Sequence, residues 1–184
     1  AWVSIPGKIK KITGYELAQN VKYVKNLFPR VKEGDKVNFP RNNVEKCGNI
    51  ISLADDFDGA LKACYEAINK ITLQLELNNK DTEDFLNGYE AADEKGFPPS
   101  AFNVKIDFSK CSVIPKNKRV YDYIPDELKK AGNDIRDWNH CTFFEIVERF
   151  DLIFPEHDEL DGKVFWKAAL RGSLQGMLYV AKKN

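Results

Sequence analysis

The chain has 184 residues, 43% hydrophobic and 12% aromatic, enough to bury a core in one domain or in one domain with a smaller companion. Its 28 basic and 28 acidic side chains cancel. That balance excludes the basic face that displaces counterions from nucleic-acid phosphates, and the basic cluster that draws a segment onto an anionic bilayer. The expected partner is a small molecule or the rest of the same polypeptide, with no nucleic acid and no membrane.

No apolar run approaches the roughly 20 residues that span a bilayer; Phe143-Phe144 and Leu152-Ile153-Phe154 are short and bounded by charge. Ala1-Trp2-Val3-Ser4 leads into Pro6-Gly7 with no apolar stretch of the secretory kind, so a cytoplasmic location is expected. Cys47, Cys64, Cys111 and Cys141 are widely spread with no CxxC pair, which fits reduced, structural thiols. The chain opens on Ala1 and holds the single methionine Met177. It is expected to be a piece excised from something longer.

In chain order, Val3 to Ile12 reads as extended after the Pro6-Gly7 turn, and Glu16–Gln19 as one helical turn. Val21 to Val31 fits a strand with an irregularity. Lys32-Glu33-Gly34-Asp35 is a turn, because glycine supplies the positive φ that such turns often need. Val37 and Phe39 alternate out of it, 40–43 is a loop, and Gly48–Ala54 is a further strand. Asp55 is placed to cap a helix whose first turn carries Asp56 and Asp58, the sign that the helix dipole favours there. Phe57, Leu61, Cys64, Ile68, Ile71 and Leu75 fall at three- and four-residue steps, one apolar stripe at helical period, with Lys62 outside it.

Asn78-Asn79-Lys80-Asp81 is a polar break and the expected boundary. Beyond it, Thr82 is expected to cap a helix to about Ala92, which Gly96-Phe97-Pro98-Pro99 ends. Val104–Phe108 alternates and predicts a strand. Pro125 opens a short helix near Asp126–Leu128. Cys141–Phe150 fits strand or helix equally. Asp161 caps a terminal helix running through Leu178. The class expected is α+β: a small antiparallel sheet with packed helices over 1–78, then a second mixed α+β region over 79–184.

The chemical motifs are sparse. No GxGxxG or Walker loop is present, so the usual backbone cradle for phosphate is missing. No zinc-spaced Cys/His set occurs. His140-Cys141 invites a nucleophile–base reading, but adjacent side chains diverge on strand or helix alike, and a structural Cys141 is preferred. Glu156-His157-Asp158-Glu159-Asp161 could offer carboxylates to a cation, yet lacks the alternation and glycine of a calcium loop and reads better as a solvated acidic loop. Arg41, in the Phe39–Asn43 loop, has the planar fork that binds carboxylate or phosphate, and is the one candidate substrate-binding residue. The aromatics Tyr121, Tyr123, Trp138, Phe143, Phe144, Phe150, Phe154, Phe165 and Trp166 have no basic groove between them, so core packing is expected. No catalytic or metal-binding residue is assigned.

Four pieces in order carry a resemblance: Gly7-Lys8-Ile9-Lys10-Lys11-Ile12-Thr13-Gly14; Val31-Lys32-Glu33-Gly34-Asp35-Lys36-Val37; Cys47-Gly48-Asn49-Ile50-Ile51-Ser52-Leu53-Ala54-Asp55; and Ala60–Ile68, ending at Ile71. This stretch, Gly7 to Ile71, resembles the C-terminal subdomain of ATP-grasp ligases, in the amino-acid-ligase branch. It departs from that pattern at Gly14-Tyr15 and at Cys47, where an arginine is common. The resemblance implies a parent enzyme that phosphorylates a carboxylate with ATP and passes the acyl group to an amine. It also implies that ATP and magnesium belong to an upstream ATP-grasp domain of the same polypeptide, with no cofactor held here. A free-standing binding or regulatory module is the alternative. A small enzyme built on the Arg41 loop or the acidic cluster is a third reading.

Overall fold

The structure, a computed structural model, describes residues 1–88 and 97–183. The chain packs as two compact units, Ala1–Glu76 with Trp138–His140, and Leu77–Asp137 with Cys141–Asn184. The class is α+β, with six helices and two small antiparallel sheets among the described residues.

In the first unit, β1 (Gly7–Thr13) is the centre of a three-stranded sheet, flanked by β3 (Lys36–Val37) and β5 (Thr72–Leu75). Ile9 faces the core while Lys8 and Lys10 face out, the alternation that puts successive side chains on opposite faces. The second sheet pairs β2 (Val24–Pro29) with β4 (Gly48–Ser52). The expected irregularity is a register shift between Val24 and Asn26. The strand expected over Gly48–Ala54 therefore does not join those over Gly7–Ile12 and Val37–Phe39 in one sheet. Its hydrogen bonds go to β2 instead.

β2 has one edge away from β4, and α1 (Tyr15–Gln19) closes it with a side chain. Gln19 Nε2 donates to Lys25 O at 3.2 Å, and Leu27 N donates to Gln19 Oε1 at 3.1 Å. One amide thus satisfies a donor and an acceptor that a further strand would otherwise seek. α1 begins immediately after Gly14, whose φ of 92° lies in the left-handed region.

α2 spans Phe57–Lys70, and its cap is Asp56 rather than Asp55: the Asp56 carboxylate accepts from Gly59 N at 2.6 Å. The expected start is one residue early because three acidic residues crowd the first turn and only backbone geometry selects among them. Asp56→Ala is expected to lower stability by about 0.5–2 kcal/mol, and Asp55→Ala to leave the denaturant midpoint nearly unmoved. Equal effects would contradict the cap.

The apolar stripe is shorter than its periodicity suggests. Ala63, Ala67 and Ile68 are buried, Leu61 and Cys64 half-buried, but Phe57 is 77% exposed. Leu75 is not in the helix at all. Ile71 ends the helix in extended conformation, and Thr72–Leu75 turns into β5 opposite Ile9–Thr13. A ready partner edge on β1 decides this, since four residues with a leading β-branched threonine suit either state. The Cys64 Sγ lies 3.1 Å from Ser52 Oγ, and Ser52 Oγ donates to Ala60 O at 2.6 Å, so this face of α2 rests on β4.

The described part of the second unit is helical, its strand content reduced to isolated bridges such as Ile114↔Leu160 and Arg136↔Thr142. Asn79, not Thr82, caps α3 (Lys80–Asn87), and Thr82 is buried within it. The expected continuation toward Ala92 lies outside the described residues past Gly88. Burial alternates along Val104–Phe108, but the segment joins no sheet, and Phe108 opens a 3-10 turn through Lys110. Alternation fixes which side chains turn inward; a strand also needs a neighbouring edge. α4 (Asp126–Ala131) follows Pro125 as expected.

The ambiguous Cys141–Phe150 stretch resolves to α5 (Phe143–Ile153), held by a reciprocal capping box. Glu145 N donates to Thr142 Oγ1, and Thr142 N donates to the Glu145 carboxylate. Asp161 caps α6 (Gly162–Lys183) through Val164 N at 3.1 Å. α6 breaks at Ser173, with φ 51° and ψ −148°. A non-glycine residue there costs about 1–3 kcal/mol, which its surroundings must offset. The Ser173 hydroxyl donates to Asp137 Oδ2 at 2.5 Å, while the carbonyls of Leu170 and Arg171 accept from Phe102 and Ala101 N. Buried Arg171 donates to Phe85 O, Pro98 O and Ser100 Oγ, its guanidinium 4.0 Å from the Phe85 ring centroid.

Candidate functional site

Arg41 stands in a loop that the loop's own side chains brace. Arg41 N donates to Glu45 Oε2 at 2.7 Å, and Asn42 Nδ2 donates to Glu45 Oε1 at 2.8 Å. Asn42 Oδ1 accepts from Val44 N and Glu45 N, the self-turning contact to which asparagine is suited. Arg30 Nη1 donates to the carbonyls of Asn43 and Val44 from below. The Arg41 side chain is exposed. The loop fixes its backbone without enclosing it.

Next to this loop the first unit carries Trp138–His140, a segment distant from it in sequence. Trp138 meets Phe39 edge-on at 4.9 Å, Asn139 Oδ1 accepts from Val3 N at 3.1 Å, and His140 stacks on Tyr65 at 4.0 Å. Val3 and Asn139 are 136 residues apart, and no local pattern announces such a contact. The left-handed φ of 64° at His140 is the backbone mark of this segment.

His140 is exposed and Cys141 buried. The imidazole is engaged with Tyr65, and the buried Cys141 thiol is pushed up to about 12, by desolvation first and then by Asp137. Cys47 is likewise pushed up to about 12 by burial. It is a core residue whose N–H donates to Trp2 O and whose carbonyl accepts from Arg30 N. None of the four cysteines is in a disulfide. Tyr15 is also raised to about 12, by burial and then by Cys47.

Two carboxylates of the acidic cluster near 156–161, Asp158 and Asp161, have structural tasks, while Glu156 and Glu159 are exposed. Asp158 pairs with Lys116 at 2.8 Å, which together with its hydrogen bond holds its carboxyl below the ordinary value. Asp161 caps α6. His157 is buried, with Nδ1 2.6 Å from Asp158 O and Nε2 2.9 Å from Lys118 O. No group of three His, Cys, Asp or Glu suited to a metal occurs among the described residues.

Phosphate fares no better at the helix starts. The first turns of α2, α3 and α5 carry Asp58, Asp81 with Glu83, and Glu145, while Asp161 caps α6. Carboxylates already occupy the positive ends where a phosphate would sit. Of the nine aromatics named in the last third, four are core, while Tyr121, Tyr123, Trp138, Phe144 and Phe154 are half-buried. Phe143, Phe150, Phe165 and Trp166 are fully buried, and Phe150 packs edge-on against Phe154 and Phe165.

No helix is long and apolar enough to cross a membrane among the described residues. No curated protein and no solved structure matches the chain. Residues 1–76 match the family described as L-amino acid ligase C-terminal domain 2. The match ends at Glu76, where the continuous part of the first compact unit also ends. Residues 1–76 are a C-terminal subdomain of the amino-acid ligase family.

Proposed function

We propose that this chain is the C-terminal, non-catalytic part of an ATP-dependent carboxylate–amine ligase of the ATP-grasp kind. In this reading the first unit packs beside the nucleotide domain of the same polypeptide and helps close the substrate pocket. Residues from 79 onward are a C-terminal extension, and Arg41 is the residue offered to substrate. The observation that carries the reading is the family match over 1–76, which coincides with the continuous part of a compact unit. The parent reaction needs magnesium held by carboxylates, a lysine on the phosphates and a covering loop. Those groups are assigned to the upstream domain, as the resemblance implies, and the starts of α2, α3, α5 and α6 carry the chain's own carboxylates.

Calorimetric titration of the 184-residue chain with ATP and magnesium tests the non-catalytic assignment. No saturable heat is expected; tight, stoichiometric binding would overturn it. The coding sequence ahead of Ala1 tests the parentage. A glycine-rich loop, a strand lysine and a late Glu-x-Asn are expected there, and their absence would favour a free-standing binding or regulatory module.

A further inference from the structure

Trp138 lies outside the span that matches the ligase family, yet it belongs to the same compact unit and meets Phe39 edge-on, ring centroids 4.9 Å apart. Its two successors anchor it there. Asn139 Oδ1 accepts from Val3 N at 3.1 Å, and the His140 ring stacks on Tyr65 of α2 at 4.0 Å. The three residues thus meet the unit at three separate places: ahead of β1, after β3 and on α2. A segment pinned at three places presents the Trp138 ring as a fixed wall to Phe39.

The chain between Phe39 and Arg41 passes that placement on. Proline locks its own φ at about −65° and keeps the residue before it out of the helical region, so Phe39-Pro40 is a stiff link. Beyond the link, Arg41 N donates to Glu45 Oε2 at 2.7 Å, and Arg30 Nη1 donates to the carbonyls of Asn43 and Val44. The far side of the loop is therefore braced by residues within the family span. Its near side leans on Phe39, and Phe39 leans on Trp138.

We infer that Trp138 is a positioning residue for Arg41: it fixes Phe39, and through the Pro40 link it fixes the backbone from which the guanidinium reaches substrate. The role rests on the assignment of Arg41 to substrate proposed above. Two measurements test it. In the 184-residue chain, exchange of the Arg41 amide with water is followed by NMR. The Lys32 amide is the reference, since it too donates to an exposed carboxylate, Asp35 Oδ2 at 2.9 Å, in the turn before β3. Trp138→Ala is expected to speed exchange at Arg41 about two- to tenfold relative to Lys32, the factor that an edge-on aromatic pair is worth. Trp138→Phe is expected to restore the slower rate. In the polypeptide extended by its own upstream sequence, ADP release is measured with each common L-amino acid offered singly. For the one that drives it best, Trp138→Ala is expected to raise KM by a similar factor with kcat unchanged, the pattern of binding lost equally from ground and transition states. Arg41→Ala should raise KM at least as far. Phe39→Ala removes the other side of the contact and should reproduce both effects; it decides the matter if Trp138→Ala fails to fold. Equal speeding at Arg41 and Lys32 would show general loosening and overturn the role, as would a fall in kcat with KM unmoved. An unaltered polypeptide that releases no ADP with any L-amino acid would overturn the ligase reading and the substrate role with it, whatever the exchange rates show of the loop.

Discussion

Ile68→Ala is expected to destabilise the first unit by about 2–5 kcal/mol, through lost transfer energy and the cavity left behind. Ile68 is 4% exposed and stands one helical turn beyond Cys64, whose sulfur contacts Ser52 on β4. Ala63 and Ala67, the buried residues beside it, are too small to fill the space that a missing isoleucine leaves. Lys62 points to solvent from the same helix, and Lys62→Ala should stay within about 0.5 kcal/mol. Denaturant melts of the two variants compare the faces directly. A larger loss from Lys62→Ala would mean that α2 presents its other side to the core.

Gly14→Ala is expected to be as damaging, by about 3 kcal/mol or more, from two sources. A side chain at φ 92° carries the left-handed penalty of roughly 1–2 kcal/mol. The added Cβ would also lie 1.9 Å from the carbonyl oxygen of Lys70, a backbone atom at the end of α2 that cannot swing aside. Overpacking of this kind typically costs a further 1–3 kcal/mol or so. Gly34 is the internal control: its φ is 90° but open space surrounds its Cβ position, so Gly34→Ala should show the conformational penalty alone. Thermal or denaturant melts of both variants separate the terms. Equal losses would show that the Lys70 contact yields.

The same glycine explains a departure from the ligase pattern. Gly14 sits where β1 must turn into α1 while passing close to α2, so glycine is required by this packing. Cys47 is a second case: buried between Trp2 and Arg30 through its backbone, it offers no charged side chain to a substrate. Arg41 stands in the loop before it, on a frame of Asn42 and Glu45.

Part of this fold is encoded in local chemistry. The α2 stripe, the glycine turn at Lys32–Asp35, the Pro125 helix start, the Asp161 cap and the four pieces of the ligase resemblance all rest on spacing or on one residue's conformational preference. The Thr142–Glu145 capping box was equally local, and reading it would have settled α5. Tertiary structure decided the choices between states of nearly equal local energy. Thr72–Leu75 became a strand because β1 offered an edge, and Val104–Phe108 joined no sheet despite its alternation. Gly48–Ser52 chose β2 over β1, which leaves Ile51 and Leu53 facing outward. The placing of Trp138–His140 against Phe39, Val3 and Tyr65 belongs wholly to this second kind, because contacts between distant residues are selected by the packed shape and not by any period along the chain.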